Sequence, residues 1–398
     1  MVIVVASFWS TAVVEIGAVL LILNALTLSI SNSLSESSSS DRDSTLPIHV
    51  RWAIGSWVIY VLGILISFRA AGVPFSRHPG LLWHPLVFPA VLLTSLDMKK
   101  LNRIGISFLV SGTCSASVAL IRYSTSVGTS HALAGFVGVT TYADLLALAG
   151  VVAALLFSRR PTSSKEAWII AVAGLVIVFA IFKTFELAPI IVLFGAVTII
   201  VYALPGSMKF AWMGLVTVAV LVGPSIPLLK FSWLIHGHSV DRYIVWQEGA
   251  KLLSKAPLFG YGPECYRRIL PSETWSKFAN RPPGAWHNDI LETGLDSGII
   301  TSVALIILIA IVLYHSIGAM RMRSGDFPKG NARALNFLLV SMVGFGLIGN
   351  VITTSILSVM FWIVMGLSLQ SAFSVSTDQS ESAMSSQRHG ITETSLVR

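Results

Sequence analysis

The sequence predicts an all-α polytopic membrane protein of about 11 to 12 transmembrane helices, with one large outer loop that carries short helices. Two observations carry this. Hydrophobic residues make up 54% of the 398 residues and charged residues 12%, and the mean hydropathy is +0.77, which no soluble chain of this length approaches. Apolar stretches of roughly 17 to 25 residues, the length that crosses a bilayer, recur near 2–30, 52–68, 81–96, 105–121, 138–158, 167–183, 187–204, 210–229, 297–315, 335–352 and 354–373.

Taken in order, the first stretch lacks a basic start and a small-residue cleavage site, so it reads as a retained span. Residues 31–45 and 374–398 are Ser-rich and polar, which suits a flexible loop and a disordered tail. The chain divides into an N-terminal transmembrane bundle (1–229), an outer loop (230–296), C-terminal transmembrane helices (297–373) and a cytoplasmic tail (374–398). No internal repeat is evident.

Basic residues in short loops set the orientation. Lys99, Lys100 and Arg103 follow the third span, Arg159, Arg160 and Lys165 the fifth, and Arg321, Arg323, Lys329 and Arg333 the ninth, so these loops face the cytoplasm and 230–296 faces out. The net charge of +8 is largely this topological signal together with attraction to anionic membrane lipids. No basic run is interleaved with aromatics, which argues against nucleic acid as a partner. Cys114 lies in an apolar span and Cys265 in the outer loop, a pattern that suggests neither a disulfide nor a thiolate metal site. His236 and His238 have no third ligand in register, so no metal is expected there. Glu15 and Asp144 fall within apolar spans, where a charge is costly and either functional or paired inside the bundle.

The outer loop has the composition of a folded segment. Ser239 or Asp241 can cap a helix over 242–256 that ends at Pro257. At about 100° per residue, Val245, Trp246, Gly249, Ala250, Leu252, Leu253 and Ala256 share one face, and Arg242 falls in its middle. No acid lies one turn away on that face, so the planar guanidinium calls for an anion, and a pair of phosphate oxygens suits its fork. The bland alternative is an arginine that snorkels to headgroup phosphates. Gly260 and Gly262 permit a tight turn and close backbone approach. Arg267, Arg268 and Arg281 are second phosphate ligands or solvated charges. Farther on, Asp289 and Glu292 form a D-x-x-E capping pair that starts a helix, which places His287 just ahead of its N-terminus. That end favours a bound anion and a neutral imidazole, which can accept a proton. The alternative is an interfacial histidine satisfied by a backbone carbonyl. Gly294 and Gly298, four apart, allow the next span to pack closely on a neighbour. Trp233, Trp246, Trp275 and Trp286 read as interface anchors.

Three pieces now stand in order: Asp241-Arg242-x-x-x-Trp246, then Ala256-Pro257-Leu258-Phe259-Gly260-Tyr261-Gly262, then Trp286-His287-Asn288-x-x-Leu291-Glu292-x-Gly294-x-x-x-Gly298. Together they resemble the core of the O-antigen ligase and polymerase superfamily. A looser likeness covers His131 to Ala147, with Gly135, Thr141, Tyr142 and Ala143. The resemblance implies a glycosyltransferase of the bacterial inner membrane with its site facing the periplasm. Such an enzyme passes a glycan from undecaprenyl diphosphate to an acceptor hydroxyl, commonly on lipid A-core, with no metal or other cofactor. On this chain it implies that Arg242 holds the diphosphate and stabilises the leaving group, and that His287 deprotonates or orients the acceptor hydroxyl. Trp246 and Asn288, inside the matching motifs, join Arg122, Arg267, Arg268 and Arg281 as substrate-binding residues. Two departures stand out. Lys183-Thr184-Phe185-Glu186 replaces a Ser-Arg-Gly type motif, and His131 stands where arginine is common. A polymerase of the same superfamily shares every motif and differs in its acceptor. A secondary transporter would instead show internal repeats and helices broken at the bilayer midplane.

Overall fold

The computed structural model describes residues 1–36, 47–94, 98–125, 139–158, 163–184, 186, 189–190, 193, 239–275, 285–322 and 329–370, and every regular element among them is a helix. Six of these helices are long and apolar enough to cross a membrane, and Pro79–Leu93, Leu335–Ile348 and Ser355–Gln370 form shorter apolar ones. The expected spans at 187–204 and 210–229 lie almost wholly outside the described residues, as does the tail from 374.

The first expected span is two helices, α1 (Val2–Ala6) and α2 (Thr11–Glu36). The break lets Phe8 turn inward, where it is fully buried against Phe108 and Tyr142. Helix α2 also runs past Ser31, where a flexible loop was expected. Helix α3 (Ile48–Ala70) is followed by 3₁₀ turns at Phe75–Arg77 and His84–Leu86, α4 (Pro79–Trp83) and α5 (Val87–Leu93). The third expected span is thus assembled from pieces, because Pro79 and Pro85 each remove an amide donor from the helical ladder. Helices α6 (Met98–Thr125), α7 (Val139–Ser158) and α8 (Ser164–Thr184) pack on one another, with α7 antiparallel to both of the others. Gly112 of α6 gives Ala149 room to approach, and α7 is buried along most of its length.

The outer segment holds α9 (Ser239–Leu253), α10 (Tyr266–Ile269), α11 (Ser272–Trp275) and α12 (Asp289–Ser297). Helix α9 begins at Ser239 and closes at Leu253, earlier at both ends than 242–256. Val245 and Gly249 are buried on its inward face, whereas Ala250 is exposed because the partner helices cover only part of the apolar stripe. Val245, Cys265, Tyr266, Leu270, Trp286 and Leu295 form a core separate from that of the bundle. The last elements are α13 (Ile299–Met322), α14 (Lys329–Ile348) and α15 (Ser355–Gln370).

Helix α13 lies antiparallel along α3. Gly63 faces Thr301, the Ser67 hydroxyl donates to the Asp296 carbonyl, and at the far end His49 stacks on His315 with ring centroids 4.2 Å apart. Asn336 donates to the Ser316 carbonyl at 3.1 Å, so α14 returns antiparallel to α13. The C-terminal end of α13 and the N-terminal end of α14 therefore lie away from α12.

Gly298 does not serve close packing along a span, as its spacing from Gly294 suggested. It is the hinge between α12 and α13, with φ of 90°, and a Cβ there would strike the Leu258 carbonyl. Gly294 does admit a neighbour, the Leu253 side chain. Substituting Gly298→Ala should therefore destabilise the purified protein by more than about 1 kcal/mol, through strain and a backbone clash. Gly55→Ala, in a helix with nothing within 4 Å of the new methyl, should be neutral or stabilising. Thermal unfolding followed by tryptophan fluorescence compares the two directly.

Candidate functional site

Helix α12 starts at Asn288, not at an Asp289–Glu292 pair. The Asn288 backbone is extended, and its side-chain oxygen accepts from the Leu291 amide at 2.9 Å, a good asparagine cap. Asp289 is the first helical residue, and its carboxylate turns away to accept from the Val351 amide at 3.0 Å and the Ile352 amide at 3.2 Å. These amides belong to the turn between α14 and α15, where a break in the helix leaves donors that need partners. Asn288 could take the cap because Asp289 is engaged elsewhere.

His287 lies just ahead of this helix, as the sequence implies, and its φ of 53° puts a non-glycine residue in the left-handed region. Such a conformation costs on the order of 1–3 kcal/mol and persists only where neighbours enforce it. Two contacts do so here. The Trp246 indole N–H is shared between the carbonyls of Trp286, at 3.0 Å, and His287, at 3.3 Å. Trp286 is fully buried, meeting Tyr266 edge to face at 4.9 Å, with Gly249 leaving room for its ring. Trp246 and Trp286 are thus structural parts of the outer segment. Their placement corrects the reading of Trp286 as an interface anchor: its ring is large enough to form a small core of its own. Trp275 is also tied in, donating to the Leu270 carbonyl at 3.2 Å.

Arg242 reaches across to α14. Its Nη1 donates to the Ile348 carbonyl at 2.8 Å, and Asn288 Nδ2 donates to the adjacent Leu347 carbonyl at 3.0 Å. These carbonyls close α14, where the last turn lacks intrahelical donors and carries partial negative charge. The partner demanded by Arg242 on its apolar face is therefore a helix C-terminus 106 residues away in sequence. Buried Asp144 of α7 also lies within electrostatic reach of Arg242, Asp289 and Glu186, and Glu186 accepts from Thr140 at 3.0 Å. The starts of α9 and α12 thus meet the end of α14, with Arg242 and the His287 backbone at the rim of that junction and Asp144 of α7 within electrostatic reach of Arg242.

The other arginines are placed differently. Arg268 Nη2 donates to the carbonyls of Tyr261 at 3.0 Å and Pro263 at 3.2 Å, bracing the Gly260-Tyr261-Gly262 turn. Arg267 is exposed on α10. Arg122 is exposed in the last turn of α6, one residue before Tyr123, whose ring lies 5.7 Å from Lys183 Nζ. Arg281, His131, His236 and His238 are outside the described residues. Among the described residues, no three His, Cys, Asp or Glu side chains are placed to hold a metal ion.

Sequence reasoning missed an acidic face. Asp289, Glu292 and Asp296 are all buried on α12, and their i, i+3, i+7 spacing was the signal that they share a side. The Asp296 carboxylate accepts from the Glu264 amide at 3.0 Å and the Cys265 amide at 3.1 Å, while the Glu264 carboxylate pairs with His78 at 3.0 Å. Burial pushes the Asp289 carboxyl up to about 8, against the opposing pull of the Ile352 and Val351 amides. Burial likewise raises Asp296 to about 6, opposed by hydrogen bonds from Cys265 and Glu264. Glu292 is held well above the usual carboxylate range by burial, then by Asp296, Asp289 and Glu264.

These raised values link stability to pH. The folded chain holds the protons of Asp289 and Asp296 more tightly than the unfolded chain, so their contribution is fully present below about pH 4. It is lost as pH rises through about 6 and then about 8. Thermal midpoints in detergent should fall across that window, and Asp289→Asn should flatten the upper part of the curve.

Residues 146–306 match the family model for O-antigen ligase, a stretch that includes Arg242, Trp246, His287 and Asn288. No curated protein matches the chain. The match supports a likeness to the O-antigen ligase and polymerase superfamily over that stretch, on a scaffold whose described elements are all helices, six of them long and apolar enough to cross a membrane.

Proposed function

We propose that this chain belongs to the O-antigen ligase and polymerase superfamily and is a glycan ligase of the bacterial inner membrane. It takes a glycan from undecaprenyl diphosphate and passes it to an acceptor hydroxyl, a sugar of lipid A-core, at the periplasmic face. The observation that carries this reading is that Arg242 and the residue next to His287 meet at the end of one helix. The Arg242 guanidinium donates to the Ile348 carbonyl, and Asn288, which follows His287, donates to the adjacent Leu347 carbonyl. In the reaction, the bond from the anomeric carbon to the diphosphate oxygen breaks as the acceptor oxygen bonds to that carbon. The acceptor proton passes to His287, and undecaprenyl diphosphate departs.

The hydrogen bond to Ile348 engages one Nη1 donor of Arg242, so the guanidinium is aimed by the protein and its fork is suited to diphosphate oxygens. Placing His287 ahead of the α12 N-terminus favours the neutral imidazole that a base requires. Arg122 and Arg267, both exposed, are candidates to meet the carrier and the glycan. A polymerase that joins repeat units would use the same groups and differ in the acceptor alone.

A deletion strain separates these two. Loss of all lipid A-attached polymer, with polymer retained on the carrier, supports the ligase, whereas a single repeat still attached to the core identifies a polymerase. With purified protein, Arg242→Lys keeps the charge but loses the planar fork, so transfer should fall sharply while expression holds. His287→Gln can hydrogen-bond the hydroxyl but cannot take its proton. It should lose roughly 10² to 10⁴ in rate while still binding the lipid carrier. Transfer by His287→Gln at close to the wild-type rate would reduce His287 to positioning the acceptor.

A further inference from the structure

We propose that Asp289 is a positioning residue for transfer: its carboxylate pins the turn between α14 and α15, and that turn in turn holds Arg242 and Asn288 in place. The inference rests on the functional reading of Arg242 and His287 given above. It goes beyond that reading in assigning a role to a residue that does not touch the substrate.

The geometry is a two-sided grip on residues 347–352. On one side of the break, the carbonyls of Leu347 and Ile348 receive Asn288 Nδ2 at 3.0 Å and Arg242 Nη1 at 2.8 Å. On the other side, the amides of Val351 and Ile352 donate to the Asp289 carboxylate at 3.0 and 3.2 Å. Between them, Gly349 donates to the Phe345 carbonyl at 2.6 Å, which finishes α14. Neither set of bonds is local, since Asp289 and its partners are 62 and 63 residues apart.

The fit around the carboxylate is close. A Cβ at Gly346 would stand 2.5 Å from Asp289 Oδ2, so the last turn of α14 has room for the acid and little else. Asp289 is 4% exposed, and Val351 and Ile352 are 1% and 5% exposed, so water has scant access to replace the carboxylate as a partner for the two amides. Asparagine would offer one acceptor oxygen and present an NH₂ group to an amide, a donor facing a donor. The turn would then lose one of the two acceptor oxygens that hold it, at the point that orients the Ile348 carbonyl. Arg242 would lose its anchor, and a shift of about 1 Å in a group that holds the reacting diphosphate can cost about 10² in rate.

The test uses the full-length protein in detergent and two readouts. Hydrogen exchange over 349–354, measured without any glycan present, reports the grip itself. It should quicken in Asp289→Asn. It should also quicken in Gly346→Ala, which crowds the carboxylate from the opposite side and leaves Asp289 unchanged. Glycan transfer reports the consequence: both variants should lose about 10-fold to 10²-fold in kcat/KM, chiefly through KM for the lipid-linked donor. Combined with Arg242→Lys, the Asp289→Asn change should add little further loss, because both act through one group. A wild-type protein that transfers no glycan overturns the functional reading on which this rests. A wild-type protein that does transfer, with exchange over 349–354 unchanged in Asp289→Asn or with losses that combine in full, overturns the positioning role itself.

Discussion

A helix that stops inside a largely apolar protein leaves carbonyls without donors on one side and amides without acceptors on the other, and each must find a partner. In this chain the stop at Ile348 is satisfied in good part by the outer segment: Arg242 and Asn288 on the carbonyl side, Asp289 on the amide side. Much of the surrounding arrangement follows from that requirement. Helix α9 must bring Arg242 to the end of α14, and α12 must begin where one residue can cap it while the next faces the break. The His287 backbone, caught between the buried Trp286 and the Asn288 cap, is left in an unusual conformation. Arg242, proposed for chemistry, is thus held by one of the bonds that close a helix.

The outer segment has its own core, yet it is tied to the bundle by polar contacts as much as by apolar ones. Ser67 donates to the Asp296 carbonyl, His78 pairs with Glu264, and Asp296 gathers the amides of Glu264 and Cys265. Close backbone approach makes this possible. Gly260 and Gly298 both sit in the left-handed region, and each faces main chain from the other side of the junction. A side chain at either position would push α12 away from the 257–262 turn, and with it the anchor of the acidic face.

Much of the frame was legible in the sequence. Hydropathy and span length located most of the helices that cross the bundle, and turn glycines at 260 and 262 marked the tight turn. The order of Arg242 and His287 on one loop pointed to the superfamily that the family match supports. What was illegible depends on partners remote in the chain. Nothing near Arg242 in sequence reveals that its acceptor is the carbonyl of Ile348, and a D-x-x-E spacing looks the same whether Asp289 caps its own helix or serves the amides of Val351 and Ile352. Trp286 failed for a related reason: an aromatic residue beside a membrane reads as an anchor until a folded loop large enough to bury it is known to exist. The break in the third span was partly visible in Pro85, which composition averaged over a window conceals.

The grip between Asp289 and the 351–352 amides also fixes an order of events during synthesis. A chain emerges from the ribosome from its N-terminus, so the outer segment is complete before α14 and α15 exist. Until they are inserted, Arg242 lacks its Ile348 acceptor and Asp289 its Val351 and Ile352 donors, so α9 and α12, joined through Trp246 and Trp286, are not yet tied to the bundle by these bonds. The rim that carries His287 is therefore finished last, by the final two helices of the described chain. A nascent protein stalled before residue 352 would carry both Arg242 and His287 and lack the bonds that tie them to the bundle.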